Sequence, residues 1–196
     1  MGVLKVRVYG DEVLRQKAKE VSKISKKIHT LAENMLMTLY SYNGVGLAAP
    51  QVGESIRMFV IDVSEANQPK HPIFFINPKI IKKSGAVNSY EGCLSFPEVY
   101  TDVRRYKNVT VKALNLSGKP FVVEAKDGEL LAIAIQHEFD HLNGKLFVDH
   151  ARNRFETDEK LISNNLNPIE MEYFLEEPEL EEEIAKESPK QDEQEN

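Results

Sequence analysis

Residues 130–144 read LLAIAIQHEFDHLNG, and this stretch decides the architecture. Leu130, Ile133, Ala134, His137 and His141 recur at steps of three and four, the spacing that lines up one face of an α-helix. Asn143-Gly144 offers residues that tolerate the left-handed conformation in which helices end. Within the helix, His137-Glu138-Phe139-Asp140-His141 is an HExxH motif. Imidazoles at i and i+4 stand one above the other, about 5–6 Å apart at Cβ. Both can therefore ligate one metal ion, and the intervening Glu138 can reach the water that such an ion activates. The apolar stripe turns both histidines toward the core. Two core histidines satisfied by backbone carbonyls are the plainer alternative, and the motif in its helical setting favours metal.

Upstream, Ile24, Ile28, Leu31, Met35 and Leu39 predict a second amphipathic helix over about 24–42, ended by Asn43-Gly44. GVGLAAPQVG (44–53) carries three glycines and a proline and reads as a loop or extended turn. IRMFVIDV (56–63) reads as a strand, and IFFINPKII (73–81) as another in which Pro78 marks an edge or a bulge. VTVKALNL (109–116) and PFVVEA (120–125) flank Ser117-Gly118-Lys119 as a β-hairpin, and SEANQPKHP (64–72) reads as a loop. Strands precede the HExxH helix without βαβ alternation, so the class is α+β with antiparallel sheet around that central helix.

The 196 residues, 41% apolar and 29% charged, suit one soluble domain. No apolar run approaches the roughly 18–20 residues of a membrane span. The N-terminus lacks the apolar stretch of a secretory signal, and Val6 breaks a myristoylation pattern begun at Gly2. A lone cysteine, Cys93, excludes an intrachain disulfide and points to a reducing cytoplasm, so the sequons at Asn108 and Asn115 read as chance matches. The net charge of −6 is uneven. Residues 156–196 hold 15 acidic and 3 basic residues, whereas residues 1–155 hold 22 basic and 16 acidic. The expected organisation is a catalytic domain over 1–155 and an acidic extension over 156–196. Its distal part, about 176–196, is expected to be disordered. Leu161, Ile162, Leu166, Met171, Tyr173 and Phe174 could still pack a short helix or turn onto the body.

Two histidines underligate a metal, and catalytic sites usually take three protein ligands and leave one position open. The third could be His29, His71, His150, a distant carboxylate, or Cys93 in EGCLSFP (91–97). A lone cysteine is more often a small buried hydrophobe. Asp140 could support the site through Arg104 or Arg105.

Three segments, GVGLAAPQ (44–51), EGCLS (91–95) and QHEFDH (136–141), resemble in order and spacing the signature motifs of peptide deformylases. The resemblance covers about residues 1–150. It implies that Cys93, His137 and His141 ligate one divalent ion, with Fe²⁺ the physiological metal and Zn²⁺, Ni²⁺ or Co²⁺ able to substitute. It implies that Glu138 is the general acid/base, and that Gln51 and the backbone N–H of Leu94 stabilise the oxyanion. Gly44, Val45, Gly46, Glu91, Leu130, Ile133 and Ala134 match substrate-pocket positions. The implied activity removes the N-terminal formyl group from the formylmethionine of nascent polypeptides, releasing formate. The implied partners are those nascent peptides and the ribosome, with no membrane and no sequence-specific nucleic acid. The strongly acidic C-terminal region departs from the basic or mixed helix of other members and argues against docking through that tail. An HExxH metallopeptidase cutting internal peptide bonds, with a distant Glu or His as third ligand, is the alternative enzyme. A metal-dependent binding protein would have no need of Glu138.

Overall fold

The computed structural model describes residues 2–175. Its frame is one antiparallel sheet of five strands in sequence order. The strands are β1 (Gly46–Ala48), β2 (Met58–Ile61), β3 (Ile73–Cys93), β4 (Phe96–Leu114) and β5 (Pro120–Ala125), with helices α1 (Lys26–Ser41), α2 (Leu130–His141) and α3 (Arg154–Ser163).

The short apolar run MFVI of β2 is buried at every position because helices cover both faces of the sheet there. Met58 and Val60 join Leu31, Met35 and Leu39 of α1. Phe59 and Ile61 point the other way, into a cluster with Ala132 and Ile135 of α2. Helix α1 ends as its sequence predicts: Asn43 adopts φ 52° and the Gly44 N–H donates to Leu39 O at 2.9 Å. After α2, Gly144 has φ 71°, and a Cβ there would lie 2.8 Å from the backbone carbon of Arg15, so only glycine fits.

The structure alters one reading, decides another and adds strand where the pattern marked none. The segment 44–53 is not loop throughout: Gly46–Ala48 pairs with β2 as strand β1, and Ala49–Val52 forms a 3-10 turn. Pro78 falls at a register shift between Ile76 and Lys79, which is the bulge alternative. Most importantly, residues 82–108, where the apolar pattern marks no element, are largely strand. They complete a long hairpin whose arms, β3 and β4, are joined by Leu94-Ser95. Its polar strand faces, as in Lys82-Lys83-Ser84-Gly85, dilute the apolar alternation that would reveal a strand.

From residue 156 to Leu175 the chain stays attached to the body. Asn153 caps α3 by accepting from the Glu156 N–H, and Leu161 is buried beside Val99, Val103 and Phe147. Ile169, Leu166 and Phe174 pack on the same cluster, whereas Ile162 and Met171 are exposed. The expected disorder of 176–196 lies outside the described residues.

Candidate active site

Helix α2 and the tip of the β3–β4 hairpin meet at one point. Cys93 is the last residue of β3, and the α2 stripe buries His137 and His141 facing it. One ligand atom from each of Cys93, His137 and His141 lies within 4.8 Å of the others, and no other such group exists among the described residues. Cys93 Sγ is 3.4 Å from His141 Nε2. His29 and His71 are exposed on the surface, and His150 Nε2 instead faces Asp140 Oδ2 at 3.1 Å. The fold thus brings Cys93, and none of the other histidines, to the HExxH pair. One thiolate and two imidazoles form a borderline-soft donor set suited to Fe²⁺, Zn²⁺, Co²⁺ or Ni²⁺. Two buried atoms beside them, His141 Nδ1 and Glu138 Oε2, make no hydrogen bond among the described residues. Buried polar atoms are rarely left so, and these fit a site completed by an ion, water and substrate.

A buried chain of charge stands behind His137. His137 Nδ1 lies 2.9 Å from Glu91 Oε2, and Glu91 takes two hydrogen bonds from Arg105, from Nε at 2.8 Å and Nη2 at 2.9 Å. Arg105 Nη1 donates to Asp140 Oδ2 at 2.5 Å. Burial pushes the Glu91 carboxyl up, but the charge and hydrogen bonds of Arg105, with His137, hold it at about 2. Asp140 is held well below the usual carboxylate range against burial, by His150 and Arg105. The fixed Glu91 anion orients the His137 ring and raises its basicity as a ligand. Burial lowers the basicity of His137, but Cys93 and Glu91 override it and raise its pKa, whereas burial and the charge of His137 lower that of His141.

Glu138 differs from Glu91 although both are buried. Burial dominates its environment and raises its carboxyl to about 7. Its carboxylate presses on β1, where a Cβ at Gly46 would overlap it, 2.8 Å from Glu138 Cδ. Glycine at 46 is therefore a steric condition for the position of Glu138.

The 3-10 turn after β1 places Gln51. The Ala48 N–H donates to Gln51 Oε1 at 2.8 Å, which fixes the amide so that Nε2 donates to Cys93 Sγ at 3.3 Å and Ser95 Oγ at 3.2 Å. Leu94 follows Cys93 in the hairpin turn. Gln51, Cys93, Leu94, His137 and Glu138 border a cleft of about 590 Å³, whose wall includes Gly44, Val45, Gly46, Leu130, Ile133 and Ala134. Leu130 is 54% exposed, so it stands at the rim and not in the core. Tyr90 and Tyr100, ring centroids 6.0 Å apart, also line the cleft as a stacked pair.

Glu91 borders the cleft, yet its carboxylate is committed to Arg105 and His137. Of the two partners considered for Asp140, Arg105 makes the contact. Sequence reasoning missed Arg105 as the hinge between Glu91 and Asp140, and Ser95 as the second partner of Gln51. Only the pairing of β3 with β4 brings residues 91 and 105 together.

Comparisons with known proteins converge on one family. The sequence model described as polypeptide deformylase matches residues 3–156. Peptide deformylase 1 of Clostridium acetobutylicum is 50% identical over 149 residues, covering 76% of this chain and 95% of its own length. The peptide deformylase of Carboxydothermus hydrogenoformans is 51% identical over 153 residues, covering 78% and 96%. Among solved structures, a peptide deformylase from Synechococcus elongatus in complex with actinonin superposes with a TM-score of 0.79 at 42% identity, covering 88% of this chain and 91% of that one. That from Thermotoga maritima gives 0.71 at 43% identity, covering 77% and 99%. A match that spans most of the chain, with relatives half identical over nearly their whole length, establishes that the chain belongs to the polypeptide deformylase family.

Proposed function

We propose a residue-by-residue route for the family's reaction in this cleft. The enzyme removes the N-terminal formyl group from nascent polypeptides. In our reading Cys93, His137 and His141 hold one divalent ion, Fe²⁺ in the cell, with Zn²⁺, Ni²⁺ or Co²⁺ able to replace it. Such an ion supplies Lewis acidity, which makes water a competent nucleophile at neutral pH and polarises the formyl oxygen. Glu138 takes the proton of the attacking water, and its raised pKa of about 7 poises it for that transfer. As the water oxygen adds to the formyl carbon, negative charge grows on the formyl oxygen. The Gln51 amide and the Leu94 N–H are the preorganised donors for it. For Gln51 this requires one hydrogen to leave Cys93 Sγ or Ser95 Oγ. The C–N bond then breaks, Glu138 returns its proton to the leaving amine, and formate and a free N-terminus result.

Val45, Ile133 and Ala134 form an apolar wall for the methionine side chain, with Leu130 at its edge. Gly44 and Gly46 let the substrate backbone approach β1. Glu91 serves as the positioning residue for His137. The catalytic unit extends over 1–155, with α3 and the segment to Leu175 bracing it and the acidic extension beyond. The setting is the cytoplasm. No described helix is long and apolar enough to cross a membrane.

The observation that carries this reading is the buried Glu138 Oε2, without a hydrogen bond among the described residues, beside the Cys93–His137–His141 group. Purified protein with added Fe²⁺ or Zn²⁺ should release formate from formyl-Met peptides and leave acetyl-Met and unformylated peptides intact. Cleavage of internal peptide bonds, or equal rates on acetylated and formylated substrates, would refute it.

A further inference from the structure

A second concavity lies on the far side of the Arg105–Asp140 pair from the cleft. It measures about 360 Å³ and is lined by Lys82, Lys83, Arg104, Lys145 and His150, with Ile80, Ile81 and Phe139 between the charges. Among the described residues the one carboxylate in its wall is Asp140, which is engaged by Arg105 and His150. Lys82 and Lys145 are exposed, Ile81 is 51% exposed, and the Lys83 ammonium lies 4.5 Å over the Tyr106 ring. The result is a groove that is cationic and partly apolar, and no step of deformylation uses it.

The chain supplies a segment of matching chemistry directly after Leu175. The last described residue, Leu175, donates its N–H to Asp149 O at 2.8 Å, beside the groove residue His150. From there residues 176–196, EEPELEEEIAKESPKQDEQEN, carry ten acidic and two basic residues. Leu180 and Ile184 stand among Glu179, Glu181, Glu182 and Glu183, the mixture of charge and bulk that the groove presents in opposite sign. Ten extended residues reach up to ~33 Å, enough to cross the groove from Leu175. A tether this short holds an effective concentration of about a millimolar, so weak individual contacts suffice for occupancy.

We propose that the Lys82–Lys83–Lys145 groove is the docking site of this chain's own acidic segment 176–187. The segment screens the groove from other polyanions. Because the contacts are exposed ion pairs, docking weakens as the Debye length falls below about 10 Å near 0.1 M salt.

Zero-length carbodiimide cross-linking of the full-length protein, mapped by mass spectrometry, locates the contacts. The expected result is amide links from Glu176–Glu187 to Lys82, Lys83 and Lys145 within single chains, reduced at least threefold at 0.5 M salt. Links spread evenly over exposed lysines such as Lys27 and Lys126, or formed between chains, would overturn the proposal. A second arm compares lysine acetylation in the full chain and in a chain with Glu176, Glu177, Glu179, Glu181, Glu182 and Glu183 all replaced by Gln. Acetylation at Lys82, Lys83 and Lys145 should rise at least threefold, with Lys27 unchanged, and unchanged rates at all four would refute docking. A single-stranded RNA oligonucleotide should bind the Glu→Gln chain more tightly than the intact one. Equal affinity, lost in both on Lys82→Gln/Lys83→Gln/Lys145→Gln, would assign the groove to nucleic acid instead. Neither variant should alter turnover of short formyl-Met peptides, so the outcome is independent of the cleft chemistry.

Discussion

Replacing Arg105 by Leu removes the one cation that buried Glu91 and half-buried Asp140 share. Arg105 is 3% exposed and Glu91 6% exposed, and three hydrogen bonds of 2.5–2.9 Å join the guanidinium to Glu91 and Asp140. Breaking a buried ion pair by removing one partner costs about 3–5 kcal/mol, because the other charge is left desolvated. The pKa of Glu91 gives a similar figure: holding its carboxyl at about 2 in place of 4.5 corresponds to about 3 kcal/mol. At ~2–4 °C per kcal/mol for a chain of this size, Arg105→Leu should lower Tm by about 6–20 °C. Arg105→Lys, which keeps the charge and loses the fork, should fall between. Thermal unfolding followed by circular dichroism at pH 7 and fixed metal concentration measures this. Loosening His137 should also weaken metal binding by about 10–100-fold, read by competition with a chelating dye. The pH dependence has a definite sign. Glu91 is depressed when folded, so its stabilisation is complete above 4.5 and fades as pH falls from 4.5 toward 2. The difference in Tm between wild type and Arg105→Leu should therefore narrow in that window. A drop below about 2 °C at pH 7 with unchanged metal affinity would refute the role given to Arg105.

Four further outcomes follow from the same geometry. Cys93→Ala should lose bound metal and turnover together by elemental analysis and formate assay, since two imidazoles alone hold an ion weakly. Glu138→Gln should retain metal while kcat falls by at least about 10²-fold, measured by formate release. Gly46→Ala should keep metal and lower kcat, because the added Cβ displaces the Glu138 carboxylate; unchanged kcat by the same assay would contradict that contact. Deleting 176–196 should leave kcat/KM on short formyl-Met peptides nearly unchanged, as every residue assigned to chemistry lies before Asp149.

Helix α2 and its histidine pair were legible because one period of 3.6 organises both packing and ligation. The β2 strand was legible because burial on both faces makes MFVI continuously apolar. The base of the β3–β4 hairpin, 73–81 and 109–116, was legible as strand, but the rest was hidden, since residues 82–89 carry lysine, serine and asparagine on both faces. That gap also concealed the support of the site. Glu91 and Arg105 belong to different strands, and their contact arises from register, with Glu91 opposite Thr101 and Val87 opposite Arg105. Gln51 could be placed near Cys93 only through the motif resemblance. The reason its amide faces the sulfur, a hydrogen bond from the Ala48 N–H, depends on a 3-10 turn that glycine and proline content made look irregular.

The central claim, that one ion held by Cys93, His137 and His141 carries out deformylation, is tested most directly by titrating metal-free protein with Zn²⁺. Formate release and X-ray absorption at the metal edge would be followed together. The account predicts that activity rises to a plateau at one ion per chain, with one sulfur at about 2.3 Å and two imidazole nitrogens at about 2.0–2.1 Å. Full activity with no sulfur in the coordination shell, or activity that continues to rise well beyond one equivalent, would contradict it.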